Sequence, residues 1–265
     1  MKSTLDLKRK YEFYEKAVQF TPSEVEFIDK WYKKLHGRIP LSLREDFCGT
    51  AALSREWVKH RRSAHAYGVD LDPEPLKIGY DQYLKSAHVH ETKRLHLVQG
   101  DVLKPMDIPL VDVTCAFNFS YFIFKKREDL IHYFKMVKSG LKKQGMFILD
   151  IFGGPESQKL VTDVKKCKTF TYYWECQQYN PITSECTFAI HFKDAKGIKH
   201  RNVFTYDWRM WTISELRDIL HEAGFSKTMI FWEGDGPDGS GDGIFTPQEV
   251  AENSLAWVAY IMALN

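Results

Sequence analysis

The stretch "LSLREDFCGTAALS", residues 41–54, decides how this chain is read. An apolar run ends in the acidic pair Glu45–Asp46, a turn follows around Gly49, and "AALSREWVKHR" then has the spacing of a helix. A strand that turns directly into a helix is where a parallel α/β sheet places a nucleotide-binding loop. A dinucleotide loop of the G-x-G-x-x-G type needs three glycines, and this one has Gly49 alone. The stretch is therefore a cofactor loop of another kind, or only a strand joined to a helix.

The text on either side decides between these. Downstream, strand-like and helix-like segments alternate: "AHAYGVDL", "PEPLKIGYDQYLKSA", "LHLVQGDV", "VDVTCAFNFSY", "EDLIHYFKMVKSGL" and "GMFILDIFGG". Apolar strands separated by helices imply a parallel sheet covered on both faces. After Gly154 the pattern changes to "KTFTYYWECQQYN", "TSECTFAIHFKD" and "KHRNVFTYDWRMW", which predicts a three-stranded antiparallel meander. "TISELRDILHEAGF" has the start, amphipathic body and glycine stop of a helix. "TMIFWEG" and "LAWVAYIMAL" follow as the last two strands. Upstream, "YEFYEKAVQF" and "PSEVEFIDKWYKKLHG" have helical spacing.

The expected fold is α/β: a Rossmann-like, mostly parallel, seven-stranded sheet with helices on both faces and a small antiparallel β insertion. Residues 1–265 are expected to form one domain. Within it, 1–39 would be an N-terminal helical lid and 40–154 a cofactor-binding half. Residues 155–211 would be the insertion near the substrate, and 212–265 the C-terminal helix and last two strands. In the lid, Tyr11, Tyr14 and Gln19 are the expected cofactor contacts; a helix simply docked on the sheet is compatible with that.

Composition narrows the function. Of 265 residues 44% are hydrophobic and 27% charged, and the formal net charge is +2. Such a balance gives no general drive toward nucleic acid or membrane. The text contains no apolar run long enough for a membrane helix and no signal-peptide core, so a cytoplasmic location is expected. Cys48, Cys115, Cys167, Cys176 and Cys186 are odd in number and lack CxxC spacing, which argues for reduced thiols and against a zinc site. No metal is expected. "EGDGPDGSGDG", residues 233–243, has the wrong aspartate spacing for an EF-hand and reads as a flexible connection between the last two strands.

In an open α/β sheet, ligands bind beyond the carboxyl ends of the strands. Here the first strand ends at Glu45 and the Gly49 turn, the second at Asp70, the third at Asp101 in "VQGDV", and the fourth at "NFSY". An acid at three successive strand ends points to one ligand along that rim.

On these residues the chain resembles the class I S-adenosylmethionine-dependent methyltransferases. Their first motif is an acid followed by alternating glycines, read here as Glu45, Phe47, Gly49 and Ala51. Cys48, Gly49 and Thr50 match the "CGT" core often seen in that loop. "GVDLDPEPL" resembles the second motif, with Asp70 as ribose ligand and Leu71 beside it. "VQGDV" resembles the third, with Asp101 facing the adenine amino group and Val102 near the ring. The chain is similar in particular to an uncharacterised group of methyltransferase-like proteins sharing "REDFCGTA", "NFSY" and "FTYDWR". The resemblance covers most of residues 40–264 and implies S-adenosyl-L-methionine as cofactor. Phe47 would crowd a pyrophosphate, which disfavours a nicotinamide cofactor; S-adenosylmethionine has no phosphate. Arg44 would either reach the methionine carboxylate or pair with a rim acid.

What the resemblance implies for chemistry is an in-line methyl transfer to a nitrogen or oxygen of a small molecule. Positioning supplies much of the rate in such a reaction. Asn118, which would also border the cofactor, and Tyr121 are the candidate catalytic groups. Ser120, Tyr173, Arg209 and Trp211 are the candidate substrate contacts. Each has a structural alternative: Asn118 and Ser120 satisfying backbone, Tyr121 and the aromatics packing, Arg209 pairing with Asp207 or Glu175. A non-catalytic S-adenosylmethionine-binding protein and a nicotinamide-dependent oxidoreductase are the competing functions. Nucleic-acid binding would want a basic face, which is not evident; a small-molecule substrate and no membrane partner are expected, and the sequence does not give the oligomeric state.

Overall fold

The computed structural model describes residues 5–85, 92–236 and 241–265. Two helices, α1 (Leu7–Val18) and α2 (Thr21–His36), precede an alternating region. That region runs β1 (Ser42–Asp46), α3 (Ala52–His60), β2 (His65–Asp70), α4 (Pro73–Gly79), β3 (Leu95–Gln99), β4 (Val111–Ala116), α5 (Arg127–Ser139) and β5 (Leu141–Gly153). The insertion contains β6 (Thr162–Lys166), β7 (Thr171–Tyr179), β8 (Glu185–Lys193) and β9 (Lys199–Arg209). Then follow α6 (Ile213–Glu222), β10 (Lys227–Asp235), β11 (Gly241–Pro247) and β12 (Trp257–Leu264).

The central sheet has eight strands in the order β11-β10-β12-β5-β4-β1-β2-β3. β1 to β5 are mutually parallel, whereas β12 runs antiparallel to both β5 and β10. The expected count of seven is corrected by β11. The glycine- and aspartate-rich stretch extends β10 to Asp235 and resumes as an edge strand paired from Gly241, so it is a hairpin rather than a plain connection. Its middle, with Asp238, lies outside the described residues. The insertion likewise has four strands instead of three. β6 is exposed along its whole length, and without an apolar periodicity it leaves little trace in the sequence.

Side-chain alternation along the buried strands separates two cores. One face carries Leu43, Val113, Cys115, Ile148 and Met262 against Val25, Ile28 and Trp31 of α2 and Trp57 of α3. The other carries Phe147, Leu149, Ile151 and Ile261 against Tyr133 and Phe134 of α5 and Leu216 and Ile219 of α6. That second core continues into the insertion through Phe188 and Trp208. A separate cluster joins Phe13 and Ala17 of α1 to Phe170, Ile190 and Phe192 of the insertion. No described helix is long and apolar enough to cross a membrane, and all five cysteines are free thiols.

Candidate functional site

The loop after β1 resolves the question of the missing glycines. Phe47, Gly49 and Ala51 all adopt left-handed backbone, with φ of 57°, 55° and 61°. The sequence lacks alternating glycines here, yet Phe47 and Ala51 take up a left-handed backbone that is ordinarily left to glycine. For a residue with a side chain this costs ~1–2 kcal/mol, so the surroundings must hold the loop. Cys48 N–H donates to the Val69 carbonyl at 2.9 Å, and Gly49 N–H donates to Asp70 Oδ2 at 2.7 Å. Phe47 packs its ring against Phe124 and Tyr133.

Glycines reappear on the elements that face the loop. A Cβ on Gly79 of α4 would lie 2.2 Å from the Thr50 carbonyl oxygen. One on Gly68 of β2 would lie 3.0 Å from both the Ala51 Cβ and the Cys48 sulfur. The close approach that glycines in the loop would have allowed is supplied by glycines opposite it.

Glu45 replaces the missing helix cap. Ala51 stands at the N-cap of α3 with no side-chain acceptor, and Glu45 Oε2 accepts from Ser54 N–H at 2.8 Å. Arg44 Nε donates to Asp46 Oδ1 at 2.6 Å, and Tyr133 Oη donates to Asp46 Oδ2 at 2.9 Å. Of its two expected roles, Arg44 therefore takes that of partner to a rim acid. Thr50 Oγ1 donates to Glu15 of α1 at 2.5 Å. Lys10 and Tyr11 of α1 both donate to Glu74 at the start of α4, so α1 lies against the loop. Of the other lid residues, Tyr14 lines the large cavity described below, and Gln19 ends the helix.

The rim acids stand where the sequence put them, with partners of their own. Asp70 Oδ1 accepts from Asp72 N–H at 2.9 Å while its other oxygen holds Gly49. Asp101 accepts from Leu103 N–H at 3.0 Å and pairs with Lys104 at 3.4 Å. Leu71 is 67% exposed on the rim, whereas Val102 and Cys48 are buried.

Two acids that sequence reasoning missed complete the arrangement. Asp150 of β5 is buried, and its two oxygens accept from Asn118 N–H at 2.7 Å and Phe119 N–H at 2.8 Å. Asn118 and Phe119 are consecutive left-handed residues, with φ of 58° and 57°. Asp150 thus fixes the strained turn after β4. Glu24 of α2 is half-buried and lies within electrostatic reach of Glu45 and Asp150. Burial pushes all three up, Glu24 to about 8 and Glu45 and Asp150 to about 7. The main influences on them are burial, hydrogen bonds and other acids, with no cation among them. A period-3.6 pattern marks Glu24 as an ordinary first-turn acid, and a strand pattern marks Asp150 as an interruption. Neither signals convergence.

A cavity of about 540 Å³ opens between the central sheet and the insertion. Asn118, Phe119 and Phe152 line it from the central sheet, and Tyr172, Trp174, Tyr206 and Trp208 from the insertion. Trp232, Glu233 and Trp257 add a further wall.

Several of the expected site residues do not line this cavity. Tyr121 is fully buried and donates to the Asp150 carbonyl at 2.8 Å, so it supports the turn and has no access to a ligand. Ser120 Oγ is turned to the Phe117 carbonyl at 2.9 Å. Tyr173 alternates away from the cavity-lining Tyr172 and Trp174, under Lys199 at 4.1 Å from its ring centre. Arg209 is bound by Glu215 at 3.1 Å and by the Lys125 carbonyl, and stacks on Trp211 with 3.7 Å from guanidinium to ring centre. Neither Arg209 nor Trp211 lines the aromatic cavity; Trp211 faces an adjoining recess with Thr212 and Arg217. Strand register decides which rings of the insertion face the cavity.

No family model matches the chain, and no curated protein matches it by sequence. Solved structures do. An S-adenosylmethionine-dependent methyltransferase from Clostridium acetobutylicum superposes with a TM-score of 0.68 at 17% identity, covering 96% of this chain and 97% of its own. A sugar N-methyltransferase from a Streptoalloteichus species gives 0.64 at 16%, covering 96% and 92%. An amino pentose methyltransferase from Micromonospora echinaspora, solved with S-adenosylmethionine bound, gives 0.64 at 14%, covering 98% and 99%. The chain shares the methyltransferase fold. At these identities the likeness concerns the fold and extends over nearly the whole of it, insertion included.

Proposed function

We propose that this protein transfers a methyl group from S-adenosyl-L-methionine to a nitrogen or oxygen of a small molecule. The observation that carries the reading is the loop of Phe47, Gly49 and Ala51. Its three left-handed residues stand at the positions read as the alternating glycines of a methyltransferase first motif, on a chain with that fold. The buried acids fit the same cofactor. Glu24 lies within electrostatic reach of Glu45 and Asp150, no cation stands among the main influences on the three, and S-adenosylmethionine carries both a sulfonium and an ammonium.

When bound, the cofactor supplies a methyl group already activated on sulfur. Asp70 would take the ribose hydroxyls and keep Gly49 in place through the same carboxylate, since a carboxylate has about four acceptor sites. Asp101 would face the adenine amino group, with Leu71 and Val102 flanking the ring. Glu45, Cys48, Gly49, Thr50 and Asn118 would border the methionine end. Asn118 is held by Asp150 in a conformation that turns the backbone after β4 toward the cavity, where the nucleophile would be oriented. The aromatic walls would shield the site from water, and transfer would be an in-line displacement in which positioning supplies much of the rate. α1 would act as a lid across Thr50 and Glu74.

The test is direct. S-adenosylhomocysteine should bind in calorimetry and NAD should not. Labelled methyl transfer, assayed across metabolite pools, tRNA and protein extract, should appear in the small-molecule fraction. Absence of S-adenosylhomocysteine binding, or transfer only to RNA or protein, would overturn the proposal.

A further inference from the structure

We infer that the acceptor taken up in the aromatic cavity carries an ammonium group, bound as a cation and distinct from the nucleophilic atom, on an apolar or aromatic body. The inference rests on the methyl-transfer reading for the reaction, but its binding chemistry comes from the cavity alone.

The cavity is faced with rings in close contact. Tyr206 and Trp208 lie 4.4 Å apart, Trp174 and Tyr206 5.7 Å, and Trp232 and Trp257 4.8 Å between ring centres. Ring faces carry negative potential and attract cations, and the attraction grows when the site is shielded from water.

The charged groups of the lining point the same way. Of its two lysines, one is paired with a carboxylate and the other turns its ammonium to a backbone carbonyl of α1. Lys159 pairs with Glu156 at 3.3 Å, and Lys165 donates to the Ala17 carbonyl at 2.9 Å over the Phe20 ring. Its remaining carboxylates, Asp163, Glu233 and Asp235, form no ion pair among the described residues. Glu233 is half-buried beside Trp232, and among the described residues its Oε1 accepts from Gly243 N–H at 3.0 Å. An acidic acceptor would meet carboxylates and ring faces that both repel it. A neutral one would leave the carboxylates uncompensated. An ammonium on an apolar body satisfies both.

Three probes on one skeleton isolate charge: tryptamine, the neutral tryptophol and the anionic indole-3-propionate. Each is titrated calorimetrically into the whole protein, with and without saturating S-adenosylhomocysteine. Tryptamine should bind about tenfold more tightly than either analogue. Glu233→Gln should reduce that preference about threefold or more while leaving tryptophol affinity unchanged. Asp235→Asn, at an exposed position that places no demand on folding, should act in the same direction. Equal affinity for the three probes, a preference for the acid, or a preference untouched by both substitutions overturns the inference. The S-adenosylhomocysteine titration is read separately. Its failure removes the methyltransferase reading and leaves the charge preference to stand or fall on the probes. A missing charge preference with S-adenosylhomocysteine bound removes only the amine.

Discussion

Asp70 does two things with one carboxylate, and this sets the expectation for its removal. The group already accepts from Gly49 and Asp72 N–H. Asp70→Ala should therefore weaken S-adenosylhomocysteine binding by roughly 2–4 kcal/mol through lost charged acceptors and a loosened loop. Calorimetry on the variant checks this, and unchanged affinity would remove Asp70 from the site. The buried acids give a pH signature. Glu45 and Asp150 are both pushed up to about 7 by burial, so the native state holds their protons more tightly than the unfolded chain does. Stability from this source is complete below about pH 4 and is lost as pH rises to about 7. Chemical denaturation across that window should show the decline, and Glu45→Gln should flatten it. Binding of a cation to the same acids favours their ionised form. Affinity for S-adenosylmethionine should therefore rise from pH 6 to 8 with release of protons, and more steeply than affinity for the uncharged sulfur of S-adenosylhomocysteine. Equal slopes would show that the acids do not face the sulfonium.

At the scale of elements, the loop after β1 owes its conformation to its neighbours β2 and α4. A Cβ on Gly49 itself meets nothing within 4 Å. Gly49→Ala should thus cost only the backbone strain of a left-handed alanine, about 1 kcal/mol. Gly79→Ala drives a methyl into the Thr50 carbonyl and should cost about 1–3 kcal/mol by overpacking. It should also lower S-adenosylhomocysteine affinity more than Gly49→Ala does, although Gly79 is outside the loop. Thermal unfolding and calorimetry on the two variants test the order, and its reversal would mean that the loop sets its own shape. The strand end, turn and helix start were legible in "REDFCGT" because they are local features. The left-handed residues at Phe47 and Ala51 were not, because nothing intrinsic to phenylalanine or alanine favours that backbone.

For the molecule as a whole, α1 ties the loop after β1 and the start of α4 to the insertion. It hydrogen-bonds to Thr50 and Glu74 on one side and buries Phe13 between Phe170 and Phe192 on the other, with ring centres at 4.2 and 5.5 Å. Phe13→Ala should cost about 3–5 kcal/mol. Hydrogen exchange should quicken in β7 and β8, which form the cavity wall, while α3 stays protected by its own core. Uniform loss of protection would mean that α1 supports the fold evenly and is no link between site and insertion.

The sequence by itself determined the alternation of strands and helices, the parallel half-sheet, the insertion and the acids at the ends of β1, β2 and β3. These follow from periodicity, turn residues and position along the chain, all of them local. Tertiary structure decided what depends on distant segments meeting. Register put Trp174 and Tyr206 into the cavity and turned Tyr173 away. Pairing to β10 made an edge strand of glycine-rich text. Asp150, a single acid interrupting an apolar strand, was brought under the turn of Asn118 and Phe119, which β4 supplies. Glu24 came from an N-terminal helix to stand beside Glu45. An isolated residue shows its own propensity in the sequence; the charge or ring it will face across the fold is set only when the chain closes around it.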